Sequence, residues 1–258
     1  MQVIYTHAFF DLDGTIYVDG KLLPGIKDGL KKLESSGTEI YYMTNNTSVS
    51  LAKYYEKLNT LGIPTKESCV ISPTVTLADW LRKTKYRKIY TVGTIDFSNE
   101  VCSLADCEYS NSEPDIVVVG FDRELTYEKL QTACAFINRG IPWVITHIDL
   151  ACPSENGPIP DCGAIANLIS HTTGKQPMKD FGKPSDIMCD LIRVISKDSD
   201  DILVSGDRVY TDAAIGLKLG ATTVLVCTGE YQKGNDNLTS NDDINVVDSL
   251  SDFLNKVL

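Results

Sequence analysis

Residues 7–20 read HAFFDLDGTIYVDG, an apolar run that ends in two carboxylates, Asp11 and Asp13, with a glycine and a threonine behind them. A carboxylate at the end of a buried strand loses hydration and must recover that cost from a cation or from hydrogen-bond donors. Either the acids cap the following backbone in a solvated turn, or other parts of the chain bring a metal and a positive charge to them. Three further segments place polar groups at the end of an apolar run or at a helix start. IYYMTNNTS ends in Thr44, Asn45 and Asn46, FGKPS carries Lys183, and ILVSGDRVYTD ends in Gly206 and Asp207 with Asp212 close behind. Taken singly, each has an ordinary reading. Thr44 and Asn45 could cap the helix that follows, Lys183 could be a solvated cation, and Asp212 could cap the helix AAIGLKLG.

Together they make a charge problem. Asp11, Asp13, Asp207 and Asp212 bring four negative charges and Lys183 returns one, so three remain uncompensated. If these groups gather in one place, that balance calls for a cation, and an all-oxygen donor set suits a hard divalent one.

The elements that must position these groups are legible in the hydrophobic pattern. HAFFD, TEIYYMT, KIYTVG, DIVVVGF, WVITH, DILVSG and TTVLVC are short runs rich in β-branched and aromatic residues, and read as strands. Between them, PGIKDGLKKLESSG puts Ile26, Leu30 and Leu33 on one helical face and ends at Gly37. SLAKYYEKLNTLG and TYEKLQTACAFINRG repeat the pattern and close at Gly62 and Gly140. Strands alternating with helices predict an α/β fold with parallel sheets, whose functional groups collect beyond the carboxyl ends of the strands. The polar segment QKGNDNLTSNDD reads as a surface loop.

The bulk properties narrow the partners. The chain has 258 residues, 43% of them hydrophobic, and a formal net charge of -11, which argues against a nonspecific grip on nucleic acid or on an anionic membrane. No stretch reaches the roughly 18 to 20 unbroken apolar residues of a membrane helix, and no export signal opens the sequence. The eight cysteines form no C-x-x-C pair and read as reduced packing residues. The expectation is a cytoplasmic protein, and a small anionic substrate stays open because a local cation can outweigh a distant surface field.

In this order, D-x-D-G-T, a Thr, a Lys and G-D-x-x-x-x-D, the chain resembles the haloacid dehalogenase superfamily of phosphatases. LLPG, TNN, VVVGFD, GPIPDCGAI, GKPS, GDRVYTD and CTGE extend the likeness over nearly the whole chain, to the NagD-like and p-nitrophenylphosphatase-like subfamily. The resemblance implies a Rossmann-like parallel-sheet core from residues 1–77 and 180–258, with an α/β cap domain inserted at 78–179. It implies a Mg²⁺-dependent phosphatase for small phosphate monoesters. Asp11 would be the nucleophile and a metal ligand, and Asp13 the acid and base, with its backbone carbonyl on the metal. Thr44, Asn45 and Lys183 would bind phosphate, Asp207 would complete the metal ligands, and Asp212 would hold Lys183 or a metal-bound water. A homodimer through the cap is a further expectation. Where the subfamily often has Asn-Pro-Asp this chain has THID, and its loop makes His147, Asp149 and Asp161 the candidates for contact with substrate. The alternatives are phosphotransfer to a sugar acceptor and a phosphate-ligand sensor without turnover. Asp13 weighs against the sensor, since binding alone needs no proton donor for a leaving group.

Overall fold

The computed structural model describes residues 5–154, 156–233 and 243–257. Most of the expected surface loop QKGNDNLTSNDD, residues 234–242, lies outside the described residues. The chain divides into two compact units, one made of Met1–Thr44, Tyr54–Ile71 and Lys183–Leu258, the other of Asn45–Lys53 and Ser72–Gly182.

All seven apolar runs are strands. The first unit holds a six-stranded parallel sheet in the order Ile244–Val247, Thr222–Val226, Ile202–Gly206, His7–Asp11, Glu39–Met43, Val70–Ile71. Its centre is His7–Asp11, where all five residues are buried, as an apolar strand covered on both faces requires. From this strand the chain passes to Glu39–Met43 on one side and returns much later to Ile202–Gly206 on the other. That change of direction is a topological switch point, where a crevice opens beyond the strand ends.

Helices cover the sheet for the reasons the spacing predicts. Ile26–Ser35 buries Ile26, Leu30 and Leu33. Helix Leu250–Val257 packs on it where Gly29 leaves room, since a Cβ there would stand 2.8 Å from Leu254 Cδ1. Helix Asp186–Ser196 starts at Ser185, whose hydroxyl accepts from Met188 N at 3.2 Å. Its buried Met188, Cys189 and Ile192 join Phe9, Met43, Ile202, Val204 and Ile215 in one core cluster.

The second unit is also α/β. Its four-stranded parallel sheet runs Glu108–Tyr109, Lys88–Val92, Ile116–Val119, Trp143–Ile145. Val92, Val117, Val119, Phe136, Trp143 and Ile165 lie at the heart of its core. Helices Pro73–Arg82, Ile95–Ala105, Tyr127–Asn138 and Cys162–Thr173 open on Ser72, Thr94, Thr126 and Asp161, each of which accepts a hydrogen bond from the first turn. Helix Pro73–Arg82 belongs to this unit because it packs along Ile95–Ala105. Besides Asn45–Lys53, the second unit runs from Ser72 to Gly182, whereas the resemblance implies limits at 78 and 179.

Candidate active site

Asp11 closes the central strand and Asp207 directly follows its neighbour Ile202–Gly206, so two carboxylates stand side by side at the carboxyl edge of the sheet. Lys183 reaches in from the segment before helix Asp186–Ser196. Its Nζ donates to Asp11 Oδ1 and to Asp212 Oδ1, both at 2.6 Å, and only 2% of its side chain is exposed. A lysine so enclosed is not a solvated surface cation. Burial by itself would lower its pKa, but Asp11 and Asp212 together outweigh that and hold it raised and charged.

Asp212 does not cap the helix Ala214–Leu219, which has no side-chain cap hydrogen bond. A π-helical turn, Val209–Ala213, carries it inward, where Oδ2 accepts from Arg208 N at 3.1 Å while Oδ1 takes the lysine. Asp207 Oδ2 accepts from Glu230 N at 2.6 Å, and Arg208 Nε pairs with Glu230 Oε2 at 2.9 Å. Glycines make this crowding sterically feasible. A Cβ on Gly206 would stand 2.1 Å from Asp212 Cγ, and one on Gly229 would stand 1.9 Å from Asp207 Oδ2. Gly14, at φ +92°, would put a Cβ 2.4 Å from the same oxygen.

Asp11, Asp207 and Asp212 each offer an oxygen within 4.8 Å of the others, and all three are buried. Burial pushes the Asp11 carboxyl well up, and Asp212 and Asp207 push the same way against Lys183. Burial and then Asp212 push Asp207 up to about 7. Three enclosed carboxylates with one lysine hold more negative charge than they can balance, and a small hard divalent cation fits both the donor set and the deficit.

Asp13 stands apart from that cluster. It is exposed, yet protein atoms crowd its carboxyl enough for desolvation to raise its pKa, with Lys57 the largest opposing influence. Its Oδ2 accepts from the Tyr17 hydroxyl at 3.3 Å.

The remaining expected residues divide between the units. Thr44 is buried in the first, its N–H donating to Ile71 O at 3.0 Å. Asn45 begins the second, and its Nδ2 donates to Asp149 Oδ2 at 3.3 Å. At the start of helix Leu51–Thr60, Leu51 N donates to Glu100 Oε1 at 2.7 Å. His147, Asp149 and Asp161 do come together, all buried, with candidate ligand atoms within 4.8 Å of one another. His147 Nε2 lies 2.9 Å from Asp161 Oδ1 and its Nδ1 lies 2.9 Å from Thr146 Oγ1. Asp161 also caps helix Cys162–Thr173, so this group is tied into the backbone of its own unit.

The motif spacing passes over Tyr17, Lys57 and the Gly229–Glu230 clamp on Asp207. CTGE, directly after the strand Thr222–Val226, is the local signal for the clamp.

Two family profiles match the chain. One described as haloacid dehalogenase-like hydrolase covers residues 8–105, and one described as HAD-hydrolase-like covers 180–253. The chain belongs to the haloacid dehalogenase-like hydrolases. It is 30% identical to an acid sugar phosphatase of Staphylococcus saprophyticus, over 89% of this chain and 89% of the relative. It is 28% identical to the 5'-nucleotidase YutF of Bacillus subtilis, over 97% and 98% of the two chains. The crystal structure of a 4-nitrophenylphosphatase from Thermotoga maritima superposes with a TM-score of 0.92 at 31% identity, covering 98% of each chain.

Proposed function

We propose that this phosphoric monoester hydrolase is a Mg²⁺-dependent phosphatase for small phosphorylated metabolites, working through an aspartyl-phosphate on Asp11. The observation that carries the reading is the enclosed set of Asp11, Lys183, Asp212 and Asp207 at the switch point of the parallel sheet. The names of the relatives support the substrate class, since they include a sugar phosphatase, a nucleotidase and a nitrophenylphosphatase.

On this reading an Asp11 oxygen attacks phosphorus and the bond to the leaving oxygen breaks, while Asp13 gives that oxygen its proton. Asp13 then takes a proton from water as the water oxygen attacks the phosphoryl group, which frees inorganic phosphate and restores Asp11. Lys183, fixed by Asp212, neutralises charge that builds on the phosphoryl oxygens, and Thr44 with the backbone N–H of Asn45 donates to them. Mg²⁺, held by the Asp11 and Asp207 carboxylates and the Asp13 carbonyl, would supply the remaining neutralisation and orient the phosphoryl group. Residues 78–179 serve as the cap, and their loops choose the leaving group. The free state of all eight cysteines supports a cytoplasmic setting. Among the described residues, no helix is long and apolar enough to cross a membrane.

Asp11→Asn should abolish phosphate release from p-nitrophenyl phosphate while leaving the circular dichroism spectrum unchanged. Turnover at the native rate in that variant would end the assignment of the nucleophile. EDTA should stop hydrolysis and added Mg²⁺ should restore it, and full activity in chelator would contradict the metal requirement.

A further inference from the structure

Asp13 has two partners that lie outside the four motifs. The turn after it brings Tyr17 alongside: Gly14 N donates to Tyr17 O at 2.8 Å, and Asp13 and Tyr17 form an isolated parallel bridge. The Tyr17 side chain is fully buried and its hydroxyl donates to Asp13 Oδ2 at 3.3 Å. Above the ring sits Lys57, from helix Leu51–Thr60, with Nζ 3.5 Å from the ring centroid. That distance is well inside the range of a cation–π contact.

The geometry has a direction. A ring packed on all sides cannot swing, so its hydroxyl is a fixed point. Asp13 is exposed and would otherwise spread over several rotamers. Anchoring Oδ2 leaves Oδ1 as the oxygen that carries and delivers a proton. A cation on the ring face draws electron density from the phenol and makes its O–H a stronger donor. The anchor also tightens as the reaction proceeds. When the P–O bond breaks and the proton leaves Oδ1 for the departing oxygen, Asp13 becomes a carboxylate, and a hydrogen bond to a charged acceptor is about twice as strong as one to a neutral acceptor.

We propose that Tyr17, backed by Lys57, is the positioning residue that aims the Asp13 carboxyl at the leaving oxygen. The proposal rests on the reading of Asp13 as the acid and base of phosphate-ester hydrolysis.

Its test is the dependence of rate on the leaving group. A nitrophenolate departs with little help from a proton, whereas a phenolate needs more, so loss of aim should penalise phenyl phosphate selectively. For Tyr17→Phe, the ratio of kcat on p-nitrophenyl phosphate to kcat on phenyl phosphate should rise about fivefold over the native ratio, the scale of one modest hydrogen bond. KM should move little. Lys57→Met, which keeps the stem over the ring but removes the charge, should raise the ratio part of the way, and Lys57→Arg should bring it back. Thermal melts of each variant identify the folded ones, and Lys57→Met carries the test if Tyr17→Phe does not fold. An unchanged ratio in both folded variants, or a change confined to KM, would overturn the positioning role while leaving the phosphatase reading intact. Absence of phosphate release from either ester by the native protein with Mg²⁺ would overturn both.

Discussion

Asp207 illustrates how one residue can be set against the stability of the fold that holds it. Its carboxyl is raised from an ordinary 3.8 to about 7, chiefly by burial and then by Asp212. Below the ordinary value, folded and unfolded chains both carry the proton. Between the two values the folded chain keeps a proton that the unfolded chain has released, so this group's share of stability is full at low pH and is lost as pH rises through about 7. The metal-free protein should therefore lose Tm from this source between about pH 4 and about pH 8, and Mg²⁺, which on the proposed reading binds the same carboxylate, should raise Tm more at pH 8 than at pH 6. Asp207→Asn should stabilise the metal-free protein at pH 8 by on the order of 1–4 kcal/mol and abolish the Mg²⁺-induced shift. A variant less stable than the native chain in EDTA at pH 8 would show that the carboxylate is not under strain. At this scale the sequence marks candidate residues but not what each one does. Asp212 could be a helix cap or a partner of Lys183 until the π-helical turn and the missing Cβ of Gly206 set its position. The contact between Tyr17 and Lys57 joins residues far apart in the chain, and no local pattern encodes it.

The elements carry the site because their ends are exact in register. Asp11 pairs with Met43 and Phe10 with Ser205, so the termini of three neighbouring strands are level and their next residues share one edge. Lys183 depends on a helix start instead. Ser185 supplies the cap for Asp186–Ser196, and its removal frees the first turn of the helix that follows the lysine. Ser185→Ala should cost about 1 kcal/mol of stability, read from denaturant midpoints, and a loss below a few tenths would mean that the cap is dispensable. This level of structure was legible because strands and caps are written locally: apolar runs of β-branched residues, then a turn glycine or a capping hydroxyl. Helix Cys162–Thr173 was less so. Its apolar residues include the exposed Leu168 as well as the buried Ile165, Ala166 and Ile169, so no clean polar face announces it. The pairing of His147 with Asp161 was beyond reach for a related reason, because the hairpin Ala151–Cys152 and Ile159–Pro160 lies between them.

Across the whole molecule, each unit has its own parallel sheet, and every enclosed carboxylate of the proposed metal site belongs to the first. Binding that is confined to one unit should protect that unit selectively. Hydrogen exchange with saturating Mg²⁺ should slow most in strands His7–Asp11 and Ile202–Gly206, with smaller change in Lys88–Val92 and Ile116–Val119. An equal slowing everywhere would mean that the two units open together. The excess of acidic residues over the whole chain does not oppose such binding, since it favours cations.

The central strand has a consequence for how the protein is made. His7–Asp11 is entirely buried in the finished sheet, but one of its two neighbours is Ile202–Gly206, which is synthesised long after it. At about 5–20 residues per second, one flank of this greasy ribbon waits about 10–40 s for its mate. Newborn chains should thus be clients of a holding chaperone, and slowing elongation should raise the fraction that aggregates.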